Sequence, residues 1–138
     1  MSSLVDVPEM SPQVAAVFAG LPKGCLALRK LIFEVAASVP EVGRISEELR
    51  WGQPAYLTPD TRAGSTIRVG EPKAGGYALF VHCQTTLLSD FRLVAPKGLR
   101  FDGNRAVLFR KDEPPEGKGL ELLIQAALSY HLKPLVAS

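Results

Sequence analysis

The hydrophobic pattern of the 138-residue chain changes its period near residue 50, and this change limits the folds open to it. Residues 12–19 and 23–39 repeat apolar side chains every three or four positions, which is typical of helices. Residues 66–71 and 77–84 instead alternate along the chain, as strands do. A short helical turn over residues 41–49 is predicted between these two regions. The order of helices before strands favours an α+β fold.

The other elements follow from local signals. Gly52 and Pro54 interrupt residues 50–58, so we predict an irregular or edge strand there. Both faces of residues 77–84 are largely apolar, which predicts a central strand. A two-residue turn at Gly103-Asn104 would pair Asp102 with Arg105 across a hairpin. We further predict a short helix or turn within residues 85–94 and a closing helix over residues 118–132. The fold class is therefore α+β, with an antiparallel sheet of about five strands against N-terminal helices and a C-terminal helix.

Length and composition indicate one domain over residues 1–138, with its core at about 12–133. The apolar fraction of 46% and the net charge of +2 are unlike those of a disordered chain. No apolar run is long enough to cross a membrane, and residues 1–10 lack the pattern of a signal peptide. The basic residues are scattered and the pI is about 8.6, so we expect no nucleic-acid partner. We predict a cytoplasmic protein, either a monomer or a homodimer.

Catalytic and metal-binding patterns are weak. His82 and Cys83 are adjacent on a strand, so their side chains point to opposite faces and cannot form one nucleophile pair. Cys25 and His131 have no spacing that supports a triad, and the chain has no zinc-type cysteine or histidine spacing. The full phosphate-loop spacing is also missing. We therefore predict no cofactor, and an enzyme that uses His82 or Cys83 remains one alternative.

The segment from Trp51 to Tyr56 is the most distinctive part of the sequence. It holds the only tryptophan of the chain, with a glycine and a proline that restrict the backbone between the two aromatic residues. One interpretation is that both rings fill the gap between the helices and the sheet. The other is that they line a cleft there with Arg68, His82 and Arg110. In that case the arginines would receive an anionic small molecule or a carboxylate of a protein partner.

The same segment resembles a known signature. Trp51-Gly52-Gln53-Pro54-Ala55-Tyr56 is similar to the W-G-x-P-x-Y motif of the YdhG-like proteins, a bacterial family of unknown function. Further similar segments follow the order of that family and extend the resemblance over residues 12–130: Leu28-Arg29, Tyr77 to Cys83, Thr86 to Asp90 and Leu99 to Phe101. The resemblance implies an α+β fold with helices against an antiparallel sheet.

Some YdhG-like proteins are described as frataxin-like iron chaperones, so the resemblance also implies iron handling as an alternative function. Iron delivery of that type uses a ridge of carboxylates on an early helix. In this sequence Glu34 is the only acidic residue between Pro12 and Pro40. The nearest alternative ligands are Glu47 and Glu48. We therefore predict no metal site and favour a small binding or accessory protein whose site lies at the Trp51 to Tyr56 segment.

Overall fold

The computed structural model describes residues 7–132. Predictions that fall on residues 1–6 and 133–138, including part of the signal-peptide argument and the last residue of the predicted core, lie outside this range. The described chain contains four helices and six strands. In chain order they are α1 (Pro12–Ala19), α2 (Gly24–Ala37), β1 (Ser46–Arg50), β2 (Gln53–Leu57), β3 (Ile67–Gly70), β4 (Tyr77–Phe80), α3 (Leu87–Arg92), β5 (Arg100–Asp102), β6 (Ala106–Phe109) and α4 (Leu120–Leu128).

The strands form one antiparallel sheet in the order β1-β2-β3-β4-β6-β5. The predicted α+β class is confirmed, with six strands instead of about five, and β4 is central as predicted. Alternate residues of the sheet, among them Tyr56, Val69 and Leu79, join the buried core with residues from all four helices. The helices thus cover one face of the sheet. No helix within residues 7–132 has both the length and the apolar character needed to cross a membrane.

The first two helices form where the sequence predicts them. Ser11 caps α1, because its hydroxyl accepts a hydrogen bond from the backbone N–H of Val14 at 3.2 Å. In α2 the apolar stripe at helical spacing is buried, with Leu28 and Ile32 fully enclosed. Helix α2 ends at Ala37, shortly before Pro40, which starts a short 3₁₀ turn.

The prediction for residues 41–49 is wrong, since β1 occupies their second half. Gly43 has a φ of 75°, which interrupts any helix at that point. From Ser46 onward the side chains alternate between the two faces of the sheet. The prediction of an irregular or edge strand at residues 50–58 is also wrong. Here β2 lies between β1 and β3, and β1 forms the edge of the sheet.

Further boundaries differ from the predictions. Strand β4 ends at Phe80, so residues 81–84, with His82 and Cys83, do not continue the strand as predicted. The turn between β5 and β6 has three residues, because Asp102 pairs with Ala106. Arg105 therefore lies in the turn, and its backbone N–H donates to the carbonyl of Asp102 at 3.1 Å. The C-terminal helix α4 ends at Leu128, before the predicted end at residue 132. The chain then turns toward the sheet, where the backbone N–H of His131 donates to the carbonyl of Ala63 at 2.7 Å.

Candidate functional site

The candidate site lies on the sheet face opposite the helices, which we call the open face. Antiparallel pairing places one row of side chains straight across it, because directly paired residues share a face. That row contains Glu48, Ala55, Arg68, Phe80, Ala106 and Asp102. Ala55 and Ala106 flank Arg68 and Phe80, so these two larger side chains stand out at the centre of the row.

Arg68 on β3 is the central charged residue of the open face. Its guanidinium carbon lies 5.2 Å from the centre of the Trp51 ring and 5.4 Å from the centre of the Phe80 ring. These distances are within the range of cation–π contacts. Its Nη1 group donates a hydrogen bond to Oε1 of Gln53. The guanidinium thus has two aromatic neighbours and is held by a hydrogen bond to Gln53.

The charge of Arg68 has no acidic partner in the described chain. Six ion pairs form among residues 7–132, and none includes Arg68. Partial burial lowers the pKa of Arg68, and the positive charge of Arg105 lowers it further. Both effects disfavour the charged guanidinium, so an anion bound beside Arg68 would stabilise it.

Trp51 reaches the open face from the turn between β1 and β2. Trp51 and Gly52 have φ values of 51° and 75°, which is the type I′ geometry that favours Asn-Gly in two-residue hairpins. A tryptophan at positive φ is strained, and its side chain remains 88% exposed. Folding stability alone does not explain this residue, and such strain is often found at functional sites.

The strain at Trp51 can be measured with two substitutions. Trp51→Asn and Trp51→Leu both remove the ring that contacts Arg68, but only asparagine readily adopts a positive φ. We expect the Asn variant to exceed the Leu variant by about 1 kcal/mol in free energy of unfolding. Urea denaturation followed by circular dichroism measures this difference. A Leu variant as stable as the Asn variant would show that the turn is not strained.

A trough of about 640 Å³ lies on the open face. Arg68 is not one of its lining residues in the described chain, but it contacts two of them, Gln53 and Phe80. The apolar lining of the trough includes Phe80, Phe101 and Leu108, and Gln53 joins the trough to Arg68. The two ends of the trough lie at opposite ends of the strands. Glu71 and Lys73 of the β3–β4 loop lie at one end, and Asp102 and Arg105 of the β5–β6 turn lie at the other. The volume is within the usual range of small-molecule sites.

Tyr56 does not belong to this site, which corrects the sequence hypothesis. Tyr56 lies on the helix-covered face of β2 and is fully buried, with its ring edge-on to Phe33 at 5.7 Å. Its hydroxyl donates to Oε2 of Glu47 at 2.7 Å. Tyr56 therefore fills the space between the helices and the sheet, whereas Trp51 does not. The predicted cleft between the two layers does not join these rings.

Glu47 and Glu48 do not form a pair of metal ligands. They are adjacent on β1, so their side chains point to opposite faces of the sheet. Glu47 is buried, and its two carboxylate oxygens accept hydrogen bonds from Nε and Nη2 of Arg29 at 2.5 and 3.0 Å. Glu48 is exposed and pairs with Arg50 at 2.7 Å. Residues 7–132 contain no cluster of three or more side chains suited to a metal ion.

The other sequence candidates lie apart from the trough. In the described chain, His82 and Arg110 neither line the trough nor contact Arg68, whereas Trp51 also lies outside the lining but contacts Arg68. His82 is exposed in the loop after β4, where its Nδ1 accepts a hydrogen bond from the backbone N–H of Gln84 at 3.1 Å. Cys83 is exposed, and Cys25 is fully buried. Burial raises the pKa of the Cys25 thiol to about 12, which leaves it protonated and unreactive at neutral pH.

Sequence reasoning missed Gln53, Phe80 and Arg105 as members of the site. The alternation along β4 placed Phe80 on the face opposite Leu79, but that face was itself apolar and gave no sign of a site. Arg105 was expected in a strand opposite Asp102, whereas it lies in the turn at the end of the trough. A correct register for β1 and β2 would have placed Gln53 on the same face as Arg68.

Compared with protein-family models, curated proteins and solved structures, the chain matches none of them. The resemblance to the YdhG-like family therefore remains a prediction. The fold and the site define the class of protein: an α+β domain with helices on one face of its sheet and an arginine between aromatic side chains on the other.

Proposed function

We propose that the protein is a small binding protein that holds an anionic small molecule on the open face of its sheet. The observation that carries this proposal is Arg68, a half-buried cation that contacts Trp51 and Phe80 and has no acidic partner in residues 7–132. A desolvated charge without a partner is unfavourable. An anion would relieve this cost and gain charge-assisted hydrogen bonds.

The surroundings of Arg68 support a small molecule as the occupant. The trough is open to solvent, and its apolar lining gives a ligand an apolar surface to contact. The charges of Lys73 and Arg105 at the trough are balanced by those of Glu71 and Asp102, so Arg68 supplies the excess positive charge that would attract an anion. Residues 7–132 hold no cluster of metal-binding side chains that would support iron handling. His82 and Cys83 are both exposed in the loop after β4 and give no comparable support for catalysis.

The experiment is a calorimetric titration of the purified chain with a panel of small carboxylates and phosphates at low salt. We expect at least one anion to bind, and Arg68→Gln to weaken it about 10- to 100-fold, since hydrogen bonds to a charged group are lost. Arg68→Lys keeps the charge without the planar fork and should restore only part of the affinity. Circular dichroism checks that both variants are folded.

Arg44→Gln is the matched control. Arg44 is an exposed arginine that pairs with Asp60 at 3.0 Å, away from the trough-lining residues of the described chain. Its replacement should leave anion affinity unchanged. If no anion in the panel binds, or if Arg44→Gln weakens binding as much as Arg68→Gln does, the proposed function is wrong.

A further inference from the structure

Resting on the anion site proposed above, we propose that its ligand is an aromatic monocarboxylate. The first argument is that one edge of the Arg68 guanidinium is still able to donate hydrogen bonds to a ligand. Nη1 bonds to Gln53, whereas Nε and Nη2 have no hydrogen-bond partner among residues 7–132. These two donors point along one edge of the guanidinium and match the two oxygens of a carboxylate. Within this same molecule, Arg29 binds both oxygens of Glu47 through its Nε and Nη2.

The second argument is the orientation of Gln53. Arginine has only donors, so the amide oxygen of Gln53 must face Arg68 and its Nε2 group must face away. A Cβ at position 70 would lie 2.6 Å from this Nε2, so the amide rests over Gly70 because that residue has no side chain. Gln53 thereby positions Arg68 and presents two further N–H donors at the trough. Such a donor-rich border selects a ligand with acceptor oxygens.

The third argument is the balance of charge and apolar surface. Arg68, Arg105 and Lys73 carry positive charge at or beside the trough, whereas Glu71 and Asp102 carry negative charge there. One net positive charge suits a monoanion better than a phosphate dianion.

The apolar surface beside that charge selects the body of the ligand. Phe80 and Leu108 line the trough, and the ring of Trp51 is almost fully exposed beside Arg68. Aromatic side chains favour a flat aromatic partner that stacks on them.

Four probes separate the ligand class from the proposed function. They are indole-3-carboxylate, cyclohexanecarboxylate, phenyl phosphate and acetate, each titrated into the full chain by calorimetry at pH 8. We expect indole-3-carboxylate to bind at least about tenfold more tightly than the other three. If phenyl phosphate or cyclohexanecarboxylate binds equally well or better, the ligand class is overturned while the anion site stands. If none of the four binds, and no other small anion does, both proposals fail.

Two variants test the role of Gln53. Gly70→Ala keeps the glutamine but displaces its amide, and Gln53→Leu removes the amide while preserving its approximate size. We expect each to weaken indole-3-carboxylate about tenfold. The Gln53→Leu variant serves if Gly70→Ala fails to fold. If folded Gln53→Leu binds indole-3-carboxylate as tightly as the wild type, Gln53 does not donate to the ligand. The argument that these donors select a carboxylate is then wrong.

Discussion

Replacing Glu47 by glutamine is expected to lower the free energy of unfolding by about 3 kcal/mol or more, because it leaves the buried charge of Arg29 without its anion. Both side chains are only 8% exposed. Burial acts to lower the pKa of Arg29, and the hydrogen bond and charge of Glu47 reverse this effect, so that the pKa is raised overall. The carboxylate thus compensates the desolvation of the guanidinium.

The contacts around this pair explain why the loss should be large. Arg29 also donates from Nη2 to the carbonyl of Pro8 at 2.6 Å, and Tyr56 donates to Glu47. The cluster therefore joins the segment before α1, helix α2 and the first two strands. Burial, followed by the charge of Glu47, raises the pKa of the Tyr56 hydroxyl, so it stays protonated and acts as a donor.

Glu48 offers a matched control on the same strand. Its carboxylate is exposed on the opposite face, and its one ion pair among residues 7–132 is with exposed Arg50. Glu48→Gln should change the free energy of unfolding by no more than about 0.5 kcal/mol. Urea denaturation of the two variants measures the contrast. Equal effects would contradict the view that Glu47 is a structural residue.

A triple variant separates an unpaired charge from a general loss of packing. Arg29→Met, Glu47→Leu and Tyr56→Phe together replace the cluster by apolar side chains of similar size. Such replacements of buried ion pairs are often neutral or stabilising. We expect the triple variant to be more stable than Glu47→Gln alone. A triple variant that is less stable would show that the cluster acts through its specific hydrogen bonds.

The Arg29–Glu47 pair also shows why part of the fold escaped prediction. Val42, Ile45 and Leu49 fit a helical stripe, and this local pattern suggested a helix. Glu47 is buried in the strand only because Arg29, 18 residues earlier, supplies the opposite charge. A contact between residues so far apart leaves no local trace in the sequence. In contrast, α1 and α2 were predictable because their caps and stripes are local.

The same reasoning applies to the candidate site. The site hypothesis grouped Trp51 with Arg68, and the structure brings these two side chains into contact. Tyr56 was grouped with them because the hairpin register was unknown. Once Trp51 and Gly52 form the turn, the strand alternation places Gln53 on the open face and Tyr56 in the core. The type I′ turn could not be anticipated because tryptophan is an unusual residue at its first position.

Replacing Gly24 by alanine is expected to destabilise the protein by about 3 kcal/mol, because the new methyl group would overlap the ring of Tyr77. A Cβ at this position would lie 2.1 to 2.5 Å from three carbon atoms of that ring. Tyr77 cannot move away easily. It is fully buried, stacks on Phe109 at 4.9 Å, and its hydroxyl donates to the carbonyl of Glu113.

Gly20→Ala is the control for this prediction, since it adds the same methyl group at the end of α1. Its nearest neighbour is the carbonyl oxygen of Val17 at 3.7 Å, and Gly20 has a φ of −97°, so alanine fits there without strain. We expect a change within about 0.5 kcal/mol for this variant. Thermal and urea denaturation of both variants provide the comparison. Similar stabilities would mean that Tyr77 can shift, and that the contact between α2 and the central strand β4 tolerates repacking. A loss of stability in Gly24→Ala but not in Gly20→Ala would show that α2 is held at a fixed distance from β4, the strand that carries Phe80 on its other face.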